Sequence, residues 1–126
     1  MIRKVISLNT MEKQNISYAI PEDAEAISAV QDGDRAFIFG FKSHRKVFSQ
    51  LGFIMVPEDD HVLRSCAEAM CDIIYMEALL KIMTLSPQDI LAHIDTADSE
   101  AAERNAAMVL TAARQAVTDY AGKLEK

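Results

Sequence analysis

Residues 60–85 read DHVLRSCAEAMCDIIYMEALLKIMTL, and their spacing predicts one long amphipathic helix. Val62, Cys66, Ala69, Ile73, Met76, Leu80 and Met83 alternate steps of four and three, the a/d seam of a heptad pattern. Leu63, Ala67, Met70 and Ile74 make a second row that widens the apolar face over the first half only. Where that row should continue stand Glu77 and Lys81. The first half of the helix therefore expects two packing neighbours and the second half one.

Working outward toward the C-terminus, Ser86-Pro87-Gln88-Asp89 offers a cap, a first-turn proline and an acid at the third position, which should start a short helix over 87–94. Thr96, Asp98 and Ser99 can each cap a last helix over about 99–121, in which Ala106, Leu110, Ala113, Val117 and Tyr120 repeat the four-three seam and Gly122 is the expected stop. The two long helices match in length, each about 35 Å at 1.5 Å per residue, as an antiparallel hairpin requires.

The N-terminal half has a different composition. Ile2–Leu8 and residues 15–20 read as strands, and Arg35–Phe41 is the clearest strand, with Phe37, Phe39 and Phe41 on one face. Pro21, the acids at 22, 23 and 25, and a stripe of Ala26, Ile27 and Val30 predict a short helix ending at Gly33. A second short helix is expected over 44–51, followed by a final strand over 52–56. All five phenylalanines fall between positions 37 and 53. The fold expected is α+β: a small antiparallel or mixed sheet with one or two short helices in residues 1–56, packed against a C-terminal helical hairpin over 60–122. At 126 residues this is a single domain by length.

Half the residues are apolar and a quarter charged, which fits a globular chain and excludes a disordered one. The net charge of -6 opposes whole-protein attraction to nucleic acid or anionic membrane. It is unevenly placed: residues 1–56 hold seven Lys/Arg against six Asp/Glu (+1), and the remainder six against thirteen (-7). The two cysteines, Cys66 and Cys71, lie roughly 140° apart around a helix at about 100° per residue, so they do not bridge each other. With no disulfide framework, no signal-peptide core and no charge-free apolar span, the expectation is a cytoplasmic protein without a membrane segment.

Candidate chemistry is sparse. Arg35, Phe39, Lys42, His44, Arg45 and Lys46 combine strand aromatics with a basic loop, a pattern that can stack bases and neutralise phosphates. RAFIFGFK resembles the inner-strand signature of the RNA-recognition motif at Arg35, Phe37 and Phe39 and departs from it at Ala36 and Ile38. IPEDAEAI (20–27) and FSQLGF (48–53) resemble the first helix and the late helix-to-strand turn of the acetyl-CoA-dependent N-acetyltransferase superfamily. That family's Gly-rich pyrophosphate loop has no counterpart among glycines 33, 40, 52 and 122. His44, His61 and His93 are scattered, and Asp59-Asp60-His61 lacks a metal-ligand spacing. No catalytic residue, cofactor or metal is expected from the sequence.

Glu77 and Lys81 stand out because they interrupt an apolar row. The plain reading is a solvated i,i+4 ion pair worth about 0.2–0.5 kcal/mol; the sharper one is a polar element that selects a partner or register. Met76, Glu77, Leu80, Lys81 and Met83 are therefore the expected partner or dimer interface. The expected protein is a non-enzymatic interaction protein (adaptor, inhibitor or regulator) acting as a homodimer with a further protein partner. Nucleic-acid binding through residues 35–46 is the alternative.

Overall fold

The computed structural model describes residues 16–94 and 99–124 and is mixed α+β. Four strands, β1 (Ile16–Ser17), β2 (Ala26–Asp32), β3 (Arg35–His44) and β4 (Val47–Val56), form one sheet in the order β1-β4-β3-β2. β2, β3 and β4 are an antiparallel meander, and β1 runs parallel to β4. Three α-helices follow: α1 (His61–Ile74), α2 (Pro87–Leu91) and α3 (Ser99–Leu124), with a 3₁₀ helix over Leu79–Thr84 between the first two. The strand expected over Ile2–Leu8 lies outside the described residues.

The β2–β3 hairpin corrects the first helix expected from the sequence. Residues 26–32 alternate as a strand should, with Ala26 and Ser28 buried and Ile27 and Ala29 exposed. Asp32 pairs with Arg35 across a two-residue turn in which Gly33 has φ 63°, the left-handed value a II′-type hairpin needs at its first central position. Gly33 thus turns a hairpin and does not end a helix. The second expected helix is also a strand. His44 pairs with Val47, and the turn residues Arg45 and Lys46 have φ 57° and 64°, so a primed turn is made without glycine or asparagine. Ser49 is an extra residue opposite Lys42 and binds its carbonyl oxygen at 3.1 Å. This bulge resets the alternation so that Leu51, Phe53 and Met55 face inward.

The core lies between one sheet face and the helices. Phe37, Phe39, Phe41, Phe48 and Phe53 are fully buried, and α3 packs across β2 and β3 while α1 covers β4 and contacts α3. The stripe on α3 runs as expected, through Ala106, Leu110, Ala113 and Val117, and Gly122 lies inside the helix. α2 starts at its capping motif, where Asp89 accepts from the Ser86 backbone at 2.8 Å.

The long helix expected over 60–85 does not form as one unit. Asp60 caps its start by accepting from the Leu63 N–H at 3.1 Å, but α1 stops at Ile74. Met76 takes φ 66° and donates its N–H to the Phe48 carbonyl, and the Phe48 N–H donates to Glu77. Ala78 bridges Val47 and Leu79 donates to Lys46. Backbone groups that would have continued the helix instead cover the start of β4, whose edge would otherwise hold unpaired donors and acceptors.

The connection from β1 to β2 crosses the outer face of the sheet, because β1 lies beside β4 and β2 beside β3. This strap passes over Gly40 and Gly52, which are paired in register. A methyl group on Gly40 would stand 2.8 Å from Ile20 Cγ2, and one on Gly52 would run into the Ala19 carbonyl oxygen. Both positions need a residue without Cβ, since side chains of the strap crowd Gly40 and its backbone lies against Gly52.

Candidate functional site

The six aromatic and basic candidates are divided by the fold. Arg35 sits at the start of β3 and is engaged three ways: with Asp32 at 2.9 Å, with the helix-capping Asp60 at 3.4 Å and with the side-chain oxygen of Asn105 on α3. These carboxylates hold its pKa above the ordinary value. Phe39 is fully buried and stacked on Phe41 with ring centroids 6.3 Å apart, so it offers no face to a base, and the three-phenylalanine face is core. Lys42 is half-buried, and His44, Arg45 and Lys46 are exposed at the opposite end of β3. A ten-residue strand separates them from Arg35 by about 30 Å at roughly 3.4 Å per residue.

The residues singled out from the interrupted seam come together on the surface, by a different route from the one expected. Met76, Leu80 and Met83 are 59, 70 and 43% exposed, three large apolar side chains within eight residues. Glu77 and Lys81 are exposed among them. The i,i+4 ion pair between these two does not form: neither charge has an ion-pair partner among the described residues. Glu77 precedes the 3₁₀ helix, so the two are not successive turns of an α-helix.

Beside this patch lies a groove of about 310 Å³ that the sequence did not announce. Its walls are Ala78, Leu79 and Leu80 on one side and Val117, Tyr120 and Ala121 of α3 on the other, with Lys46 of the hairpin turn at its rim. Leu79 and Val117 are buried, whereas Leu80 projects into solvent. Tyr120 is fixed by an edge-to-face contact with Phe41 at 5.7 Å, and its hydroxyl accepts from Ser43 at 3.4 Å. The two walls come from segments about forty residues apart and Lys46 lies more than seventy residues from the α3 wall, so no local pattern marks the groove.

A second concavity of about 260 Å³ is lined by Tyr18, Phe53, Ile54, Met55, Glu58 and Arg64. Here the Tyr18 ring packs edge-on against Phe53 at 5.4 Å, its hydroxyl donates to Glu68, and the Arg64 guanidinium lies 5.6 Å from the ring centre. Partial burial and the Glu68 carboxylate push the Tyr18 phenol up to about 12, so it stays protonated and clamps β1 to α1. The cysteines are buried and neither is in a disulfide. Burial, with a smaller contribution from Asp60, pushes the Cys66 thiol up to about 11, the opposite of what a nucleophile needs.

Among the described residues no group of three or more His, Cys, Asp and Glu is placed to hold a metal, and no helix is long and apolar enough to cross a membrane. The fragments at 20–27 and 48–53 that resemble acetyltransferase elements are the strap with the first residues of β2, and the bulged part of β4. Neither is a helix. In comparisons with known proteins, no family model and no curated protein matches the chain.

Proposed function

We propose that this is a non-enzymatic interaction protein of the cytoplasm, an adaptor, inhibitor or regulator, that self-associates through residues 76–83. One observation carries the reading. Met76, Leu80 and Met83 stand exposed around two uncompensated charges of opposite sign, Glu77 and Lys81. A two-fold axis through such a patch buries the apolar side chains against their copies and sets each Glu77 near the partner subunit's Lys81, so the surface complements itself. The apolar stripe of α3 and most of that of α1 are already buried within the chain, which favours association at the 3₁₀ edge.

Light scattering after size exclusion tests this. The expected mass is about twice the 14.0 kDa of one chain. Leu80→Lys should give a monomer, Glu77→Lys should weaken the dimer, and adding Lys81→Glu to it should restore pairing. A monomeric wild-type protein at micromolar concentration would refute the reading.

A second reading is supported by the unpaired cations of the β3–β4 turn. It is nucleic-acid binding by Lys42, His44, Arg45 and Lys46 through phosphate contacts alone, without aromatic stacking. Lack of binding to single-stranded DNA or RNA at low salt sinks it.

A further inference from the structure

We propose that the groove between the β3–β4 turn, the 3₁₀ helix and the end of α3 binds a free anionic amphiphile, an unbranched aliphatic chain ending in a carboxylate. The walls define the ligand's body. The main chain on the 3₁₀ side is already paired, Ala78 bridging Val47 and Leu79 donating to Lys46 at 2.9 Å, and on the other side the backbone is internal to α3. An extended peptide therefore finds no strand edge to add to. The Tyr120 hydroxyl accepts from Ser43 and keeps its own O–H as a donor at one point of the wall. Apart from that hydroxyl, what remains to touch is the apolar surface of Leu79, Leu80, Val117 and two alanines, so an occupant must be apolar along most of its length.

Lys46 defines the ligand's end. Among the described residues it is the one ionised residue lining the groove, and its ammonium has no hydrogen-bond or ion-pair partner among them. Arg45 beside it in the turn adds a second positive charge in a chain of net -6. A carboxylate placed there gains a charge-assisted hydrogen bond at an otherwise idle cation. The groove volume of about 310 Å³ is at the small end for ligand sites and accommodates about ten methylene groups, each close to the roughly 30 Å³ that a water takes up. A whole partner helix needs a longer trough. This site shares Ala78, Leu79 and Leu80 with residues 76–83, of which only Leu80 is among the exposed large apolar side chains proposed to pair, and it stands whether or not the protein dimerises.

The test is calorimetric titration of the full-length protein with decanoate below its micelle concentration and with decanol as the uncharged match. Decanoate should bind one per chain, about tenfold more tightly than decanol. Lys46→Glu should erase that preference by weakening decanoate alone. Ala121→Phe, a substitution at an exposed helix position, should abolish binding of both by filling the groove; Ala78→Phe fills it from the other wall if the first variant misfolds. Urea midpoints confirm that each variant folds. Absence of binding, equal affinity for acid and alcohol, or binding unchanged when the groove is filled would each overturn the proposal. So would a result in which decanoate does not bind but filling the groove converts a dimer to a monomer, since the groove would then belong to a second copy.

Discussion

At the start of β3, Arg35 reaches from the sheet to the cap of α1 and to the buried Asn105 on α3. At the far end of the same strand, Arg45 and Lys46 occupy a tight turn in a left-handed conformation and their side chains meet no partner among the described residues. Both ends carry cations, and the surrounding chain uses them oppositely. Asn105 is 3% exposed in an otherwise apolar stripe, so the guanidinium satisfies a polar group that would cost far more unpaired than the bond itself is worth. At the turn nothing depends on the cations for folding, and the backbone there suits asparagine and glycine better. Charge that is consumed by structure and charge that is left over are distinguishable only when partners are counted.

Removing Arg35 should show the largest effect. Arg35→Ala strands Asn105 and loosens the Asp60 cap, so urea denaturation should find a loss of about 2–3 kcal/mol. A loss below about 0.5 kcal/mol would mean that the two ends are alike. Alkaline pH probes the same end. Cys66 titrates at its ordinary 9.0 when unfolded and at about 11 when folded, raised first by burial and then by Asp60. Its stabilising contribution is thus fully present below pH 9 and falls away between 9 and 11, amounting to about 3 kcal/mol. Cys66→Ala should flatten the stability profile in that window even if it lowers stability overall. Tyr18, raised to about 12, acts on the higher window between 10 and 12.

The turn should respond in the reverse direction. Arg45→Asn with Lys46→Gly relieves two left-handed side-chain-bearing residues and should stabilise the protein by about 1–2 kcal/mol, while weakening decanoate binding as Lys46→Glu does. Lys46→Ala alone should change stability by less than about 0.5 kcal/mol. If the Asn-Gly variant is destabilised instead, Arg45 and Lys46 have a structural role and the contrast collapses.

How far the fold can be read from residues differs in the same way between local and assembled features. β3, α2 and α3 were legible, since alternating phenylalanines, a capping motif and a four-three stripe are each complete within their own segment. β2 was misread because Ala26, Ile27 and Val30 also satisfy helical spacing. The competing signals were Asp32-Gly33 and the alternation of Ala26, Ser28 and Val30, mirrored by Phe37, Phe39 and Phe41. The β3–β4 turn carries no such signal, because Arg45 and Lys46 are atypical where asparagine and glycine are usual. The break at Met76 was invisible for a deeper reason: helix periodicity continues through it, and what ends the helix is the Phe48 backbone, about thirty residues away in sequence. Met76, Leu80 and Met83 were expected on a helix seam with one packing neighbour and as a partner interface; in the fold they are exposed. The groove beside them was not expected, since Lys46, Leu79 and Val117 meet only in the folded chain.

The strap over Gly40 and Gly52 acts as a check on register. A hairpin that slips by two residues keeps the same side chains facing the core and so passes the test of hydrophobic burial. Such a slip would set Gly40 opposite Gln50 or Ile54, and the two bare backbones would no longer lie side by side beneath residues 19–21. Only the native pairing leaves a smooth track across both strands for the chain to cross, and only then can β1 and β2 occupy opposite edges of the sheet. The crossing therefore selects between alignments that the phenylalanine face alone cannot tell apart.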